Sequence, residues 1–177
     1  MSDKNWKSYY GNNPDTSEFD NPSNPKEYDD IMKFSDCTNV IVQNKYVRAG
    51  SENCVDAVRG SNYTWNECQF ENGAGVSTFT LKGSINIWAI KSSVIGKGKN
   101  TDIELGQFDN YWQPGRKPTR NGVIENCIRE DGKPIQVTCW DAEPPKVINS
   151  NVKIQRVPWI IWFPYFIFRY ITIRIKN

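Results

Sequence analysis

The chain contains no histidine among its 177 residues. That absence excludes Ser-His-Asp catalysis, Cys-His catalysis and histidine-ligated metal sites together. Its five cysteines (Cys37, Cys54, Cys68, Cys127 and Cys139) include no CxxC pair, so no metal site is expected. Their odd number, and an N-terminus "MSDKNWKSYY" without an apolar signal region, predict reduced thiols in a chain made in the cytoplasm. In that setting the sequon at Asn62 carries no weight. Excess charge is missing too: the net charge is +2, and no nucleic-acid partner is expected. Long hydrophobic runs are missing as well. Val157 to Phe168 is interrupted by Pro164 and is too short for a membrane span. "GKGKNT" fails as a phosphate loop, because Ser93 stands where the first Gly is needed and Asn100 where Ser or Thr is needed. Nothing in the chain implies a cofactor.

Charge of one sign does collect locally. Residues 1–36 hold eight acids against four lysines, whereas six bases and no acid follow Pro144. An acidic front and a basic tail suit pairing within a subunit or between subunits. Residues 1–30 are polar, punctuated by Asn, Pro and Asp, and keep no period of 2 or 3.6. They read as an extended N-terminal arm, with Trp6, Tyr9, Tyr10 and Phe19 as docking points.

From residue 31 the texture becomes repetitive. Short apolar bursts begin at Ile31 ("IMKF"), Val55 ("VDAV"), Phe79 ("FTLK"), Ile103 ("IELG"), Ile135 ("IQVT") and Trp159 ("WIIW"). All steps are 24 residues except the fourth, which is 32 and contains the insertion "NYWQPGRKPTR". Second bursts such as "NVIVQNKYV" and "NYTWNECQF" follow, separated by turn residues. Helical repeats of this length show i, i+3, i+4 spacing, and leucine-rich repeats show a leucine and asparagine framework; both are missing. A short-strand repeat of this size stacks naturally as a solenoid with parallel pairing between coils.

The coil size, the "NEC", "ENC" and "NSN" turns and phrases such as "SNYTWNECQF" resemble the right-handed parallel β-helix, or pectate-lyase-like, superfamily. The resemblance covers about residues 31–177. It implies an all-β, right-handed parallel β-helix of about six coils, with an insertion at about 108–121 and an aromatic capping coil at 159–177. It also implies stacked small residues at Cys68, Ser93, Cys127 and Asn151. The superfamily includes polysaccharide lyases and hydrolases, phage virion parts and non-catalytic surface proteins, so fold alone does not decide function.

If Val55/Ala57, Phe79/Leu81, Ile103/Leu105 and Ile135/Val137 point inward, then Asp56, Thr80, Glu104 and Gln136 form an outward column, with Lys82 beside it. Should the chain be an enzyme, its residues are Asp56, Lys82 and Glu104, with Arg59 nearby, on the face where the superfamily's polysaccharide-cleaving members carry their carboxylates. Two coils separate Asp56 from Glu104, roughly 9.6 Å, near the upper limit for an inverting pair of about 9.5 Å. The favoured alternative is a solvated charge ladder that keeps the sheet soluble and in register. The insertion concentrates Asp109, Tyr111, Trp112, Arg116 and Arg120, and the turn "CWDAE" adds Trp140 and Asp141. Aromatics beside arginine suit a glycan or a protein hot spot.

In the tail, Trp159, Trp162, Phe163, Tyr165, Phe166 and Phe168 are too many aromatics for one coil's interior, and an assembly contact is expected there. From Phe166 the tail alternates as a strand. The composite expectation is a non-enzymatic structural or binding protein of a larger assembly, associating through its aromatic tail and acidic arm. A phage virion or tail is the setting the resemblance implies. A carbohydrate-active enzyme and a sugar-binding module using Trp112 are the other readings.

Overall fold

In the computed structural model the described residues are 31–49, 53–72, 75–106 and 118–158. They are all-β, with thirteen strands and no helix among them. The strands are β1 (Met32–Gln43), β2 (Tyr46–Ala49), β3 (Val55–Asn66), β4 (Gln69–Asn72), β5 (Phe79–Lys82), β6 (Asn86–Lys91), β7 (Val94–Ile95), β8 (Ile103–Gly106), β9 (Arg120–Glu125), β10 (Ile128–Arg129), β11 (Ile135–Trp140), β12 (Lys146–Ile148) and β13 (Val152–Val157). The proposed arm, the residues of the insertion from Asp109 to Arg116, and the tail from Trp159 to Phe168 lie outside the described residues.

Every pairing between these strands is parallel. A nine-stranded sheet runs β12-β9-β6-β3-β5-β8-β11-β13, with β1 on β3, and a four-stranded sheet runs β10-β7-β4-β2. The long β3 belongs to both arms of the larger sheet. Its first half pairs with β5 and its second half with β6. The sheet therefore bends through β3 and, with the smaller sheet, nearly encloses the core. This layout is consistent with a parallel β-helix or a barrel.

The register fixes the columns. Met32 pairs with Val55, Val55 with Phe79, Phe79 with Ile103, Ile103 with Val137 and Val137 with Ile154, steps of 23, 24, 24, 34 and 17 residues. The sequence expectation of 24-residue steps holds at the second and third. Its fourth step, from Ile103 to Ile135, is two residues too short. The strand that pairs with β11 on the side away from β8 is β13, Val152–Val157, while "WIIW" lies outside the described residues.

Alternation builds the core. In β11, Ile135, Val137 and Cys139 are buried while Gln136, Thr138 and Trp140 are half-exposed, as expected for a strand with one face on the core. Inside, Tyr63 and Trp65 stack with centroids 5.7 Å apart, Trp65 meets Phe79 edge-on at 5.3 Å, and Phe70 meets Phe79 at 4.6 Å.

Two corners turn on left-handed residues stacked above one another. Asn44, Glu67, Ser92, Asn126 and Asn149 all have φ between 46° and 55°. They are joined by Asn44 N–H to Asn66 O (3.1 Å), Glu67 N–H to Lys91 O (3.0 Å), Ser92 N–H to Glu125 O (2.8 Å) and Asn126 N–H to Ile148 O (3.0 Å). Asparagine tolerates this region better than most residues, which explains Asn126 in "ENC" and Asn149 in "NSN"; in "NEC" the left-handed residue is Glu67. One residue on, the expected small-residue stack forms with one change. Ser93 Oγ accepts from Cys68 N–H at 3.1 Å, and Ser150 Oγ, rather than Asn151, accepts from Cys127 N–H at 2.9 Å.

Candidate functional site

The outward column runs Lys33, Asp56, Thr80, Glu104, Thr138 and Gln155. Thr138 replaces Gln136 as the neighbour of Glu104, because of the two-residue change of register; Gln136 instead donates its N–H to Asp102 Oδ2 at 2.7 Å. Asp56 and Glu104 lie two strands apart, as expected.

The expected solvated ladder is corrected at its centre. Asp56 is only 3% exposed, and its neighbours Thr80 and Val58 are buried as well. Asp56 sits between two ammonium groups: Lys33 Nζ lies 3.5 Å from Oδ2, and Lys82 Nζ lies 3.3 Å from Oδ1. A carboxylate this shielded needs such partners, since an uncompensated buried charge is costly. Thr80 Oγ1 is 2.8 Å from Ser77 Oγ, whose hydroxyl reaches Asn53 Oδ1 at 3.0 Å.

Glu104 has a different environment. Burial pushes its pKa up; Lys82 opposes the shift, and the negative charge of Asp56 adds to it. The column thus holds one carboxyl flanked by two lysines and another biased toward its protonated form. Chemically, these are the elements of an acid-base pair. Arg59 does not join them. It donates from Nε and Nη2 to Asp36 Oδ1 and Oδ2 at 2.5 and 2.7 Å, at a corner where both residues have positive φ.

No family model matches this chain, and no curated protein or solved structure matches it either. The pectate-lyase-like resemblance therefore rests on the repeat and the turns alone.

Of the predicted contact residues, Arg120 is the first residue of β9 and donates from Nε to Asn86 Oδ1 at 3.1 Å. Trp140 ends β11 opposite Gly106 and Val157. Asp141 follows it at φ 49°, with its N–H 3.3 Å from Val157 O. Asp109, Tyr111, Trp112 and Arg116 lie outside the described residues.

The sequence does not single out the most deeply buried ion pair among the described residues. Arg129 Nη1 lies 3.2 Å from Asp102 Oδ2, with side chains 7% and 1% exposed. Arg129 also donates from Nε and Nη2 to both oxygens of Asp131 at 2.6 Å. Gly98 N–H and Gln136 N–H fill the acceptors of Asp102 at 2.9 and 2.7 Å. Arg129 stands one step beyond the core residue Ile95, where the smaller sheet ends. The signal available was an Asp directly ahead of an apolar burst ("TDIELG").

All five cysteines are buried and outside any disulfide. Burial raises the pKa of Cys68 and Cys127 and pushes Cys139 up to about 11, which disfavours the thiolate at these three positions. Among the described residues no group of His, Cys, Asp or Glu is placed to hold a metal ion, and no helix is long and apolar enough to cross a membrane.

Proposed function

We propose that this chain is a right-handed parallel β-helix of about six coils that serves as a structural or binding component of a larger assembly. A phage virion or tail is the setting suggested by its resemblance. The observation that carries this reading is the state of Asp56. The acid best placed for chemistry is 3% exposed and ion-paired to both Lys33 and Lys82, an arrangement suited to locking three neighbouring strands. Buried thiols support the same reading.

A second reading, a carbohydrate-active enzyme, is favoured by the contrast between Asp56 and the raised pKa of Glu104. Incubation with a panel of acidic and neutral polysaccharides separates the two. The structural reading expects no cleavage and a particle heavier than one chain by light scattering. Cleavage by a monomer, lost in Asp56→Asn and in Glu104→Gln, overturns it.

A further inference from the structure

The stack of strands is closed off differently at its two ends. At the β1 end, Met32, Phe34 and Val40 are fully buried. At the β13 end the core columns open. Ile154 continues the column Met32, Val55, Phe79, Ile103 and Val137, yet it is only partly buried, as is Val152. The neighbouring column Phe34, Ala57, Leu81, Leu105 and Cys139 ends in Arg156, which is exposed although it stands on the core side. β13 pairs with β11 and carries no second strand among the described residues. Such an edge presents a row of backbone donors and acceptors to an incoming strand.

The charge of this edge selects what it takes. Lys153 and Arg156, both on β13, are exposed there. The chain's own residues after Pro158 add Arg169, Arg174 and Lys176 and no acid, so laying them along β13 sets like charges side by side. The acidic stretch of the sequence is residues 1–30, with Asp15, Glu18, Asp20, Glu27, Asp29 and Asp30. Asp29 and Asp30 stand within two residues of Ile31, which is tied at the β1 end of the stack. Two residues span about 7 Å against a stack of six strands roughly 24 Å deep, so these acids can meet the β13 edge of a second copy and not that of their own chain.

We propose that the β13 edge is a docking site for an acidic extended segment added as a further strand, and that its occupant is residues 1–30 of a second copy. Backbone pairing supplies the affinity and Lys153 and Arg156 supply the selection, the division of labour usual in strand addition. This rests on the assembly reading above and names its contact.

The test is light scattering of the full chain over rising concentration at low and high salt. The expected result is a mass that exceeds one chain at low salt and falls toward one as salt rises. The double variant Lys153→Glu/Arg156→Glu needs at least about tenfold more protein to associate. Adding Asp29→Lys/Asp30→Lys to that variant restores association. An oligomer insensitive to Lys153→Glu/Arg156→Glu overturns this contact and leaves the assembly reading standing. A single-chain mass at every concentration, whichever segment of the same chain then covers β13, overturns the exchange between copies.

Discussion

Trp88 of β6 pairs directly with Gly122 of β9, and a Cβ on Gly122 would lie 2.2 Å from the indole ring. The column is Tyr63, Trp88 and Gly122 from successive strands, so one large side chain fills the space of two positions. Gly122 is a partner of the tryptophan, and its lack of a side chain is the property that matters.

Gly122→Ala is therefore expected to destabilise the fold by about 1–3 kcal/mol, the usual cost of overpacking. Because Trp88 is 1% exposed, the indole has little room to retreat. Urea unfolding followed by tryptophan fluorescence gives the measurement. Gly122→Ala combined with Trp88→Leu should recover part of the loss, since the clash goes with the indole.

Ile87 breaks a ladder. Asn39, Asn62 and Asn121 have φ of 58°, 59° and 54°, and Ile87 holds the equivalent place at 61°. Asn62 Nδ2 donates to Asn39 Oδ1 at 2.7 Å, as Asn121 does to Asn86 Oδ1. A β-branched residue in the left-handed region costs about 1–2 kcal/mol, and Ile87 is 50% exposed, so it returns little in burial. Ile87→Asn should raise the thermal midpoint, gaining about 1 kcal/mol. A lower midpoint would show that the isoleucine makes up for its strain by contacts.

Much of this was legible in the residues, for a reason that also sets the limit. Side chains alternate with a period of two, so Val55, Phe79, Ile103 and Val137 announced themselves as core. A slip of two residues leaves every side chain on its own face. For that reason the apolar pattern does not distinguish Ile135 from Val137 as the partner of Ile103, and it puts Gln136 where Thr138 stands. The partner of β11 is harder to read, because Lys153, Gln155 and Arg156 dilute the pattern of β13 while the richer "WIIW" nearby fits the period. The burial of Asp56 had no sequence signal: an outward acid looks the same whether solvent or other side chains lie over it. The pair of Asp102 and Arg129 is a contact 27 residues apart, visible only once the strands are stacked.

Glu104 makes stability depend on pH. Its folded pKa is raised, chiefly by burial, so the protonated form is the one the fold favours. That contribution is complete below the unfolded pKa of about 4.5 and is lost as pH rises through the higher folded value. Glu104→Gln mimics the protonated state. Its urea midpoint should exceed that of the parent at pH 7 and match it near pH 4. Equal midpoints at both values would mean that Lys82 fully compensates the buried charge. The opposite sign at pH 7 would mean that the attraction of Lys82 outweighs the cost of burial.

Asp102 is where the fold should be least forgiving. It accepts hydrogen bonds from Gly98 N–H, Gln136 N–H and Arg129 Nη1, and it ties β8 to β11 across the longest step between strands. Asn in its place keeps the shape and one acceptor but removes the charge facing a 7% exposed guanidinium. Breaking a buried pair commonly costs 3–5 kcal/mol. Here Arg129 keeps Asp131, whose carboxyl it holds well below the ordinary carboxylate range through paired hydrogen bonds. Asp102→Asn should therefore cost somewhat less, about 2–3 kcal/mol. Denaturant unfolding measures it, and hydrogen exchange locates it. Protection should fall first at Gly98, Asp102 and Gln136, while the corner residues Glu67 and Ser92 keep theirs. A uniform loss across the chain would show that the pair supports global stability and is no local clamp.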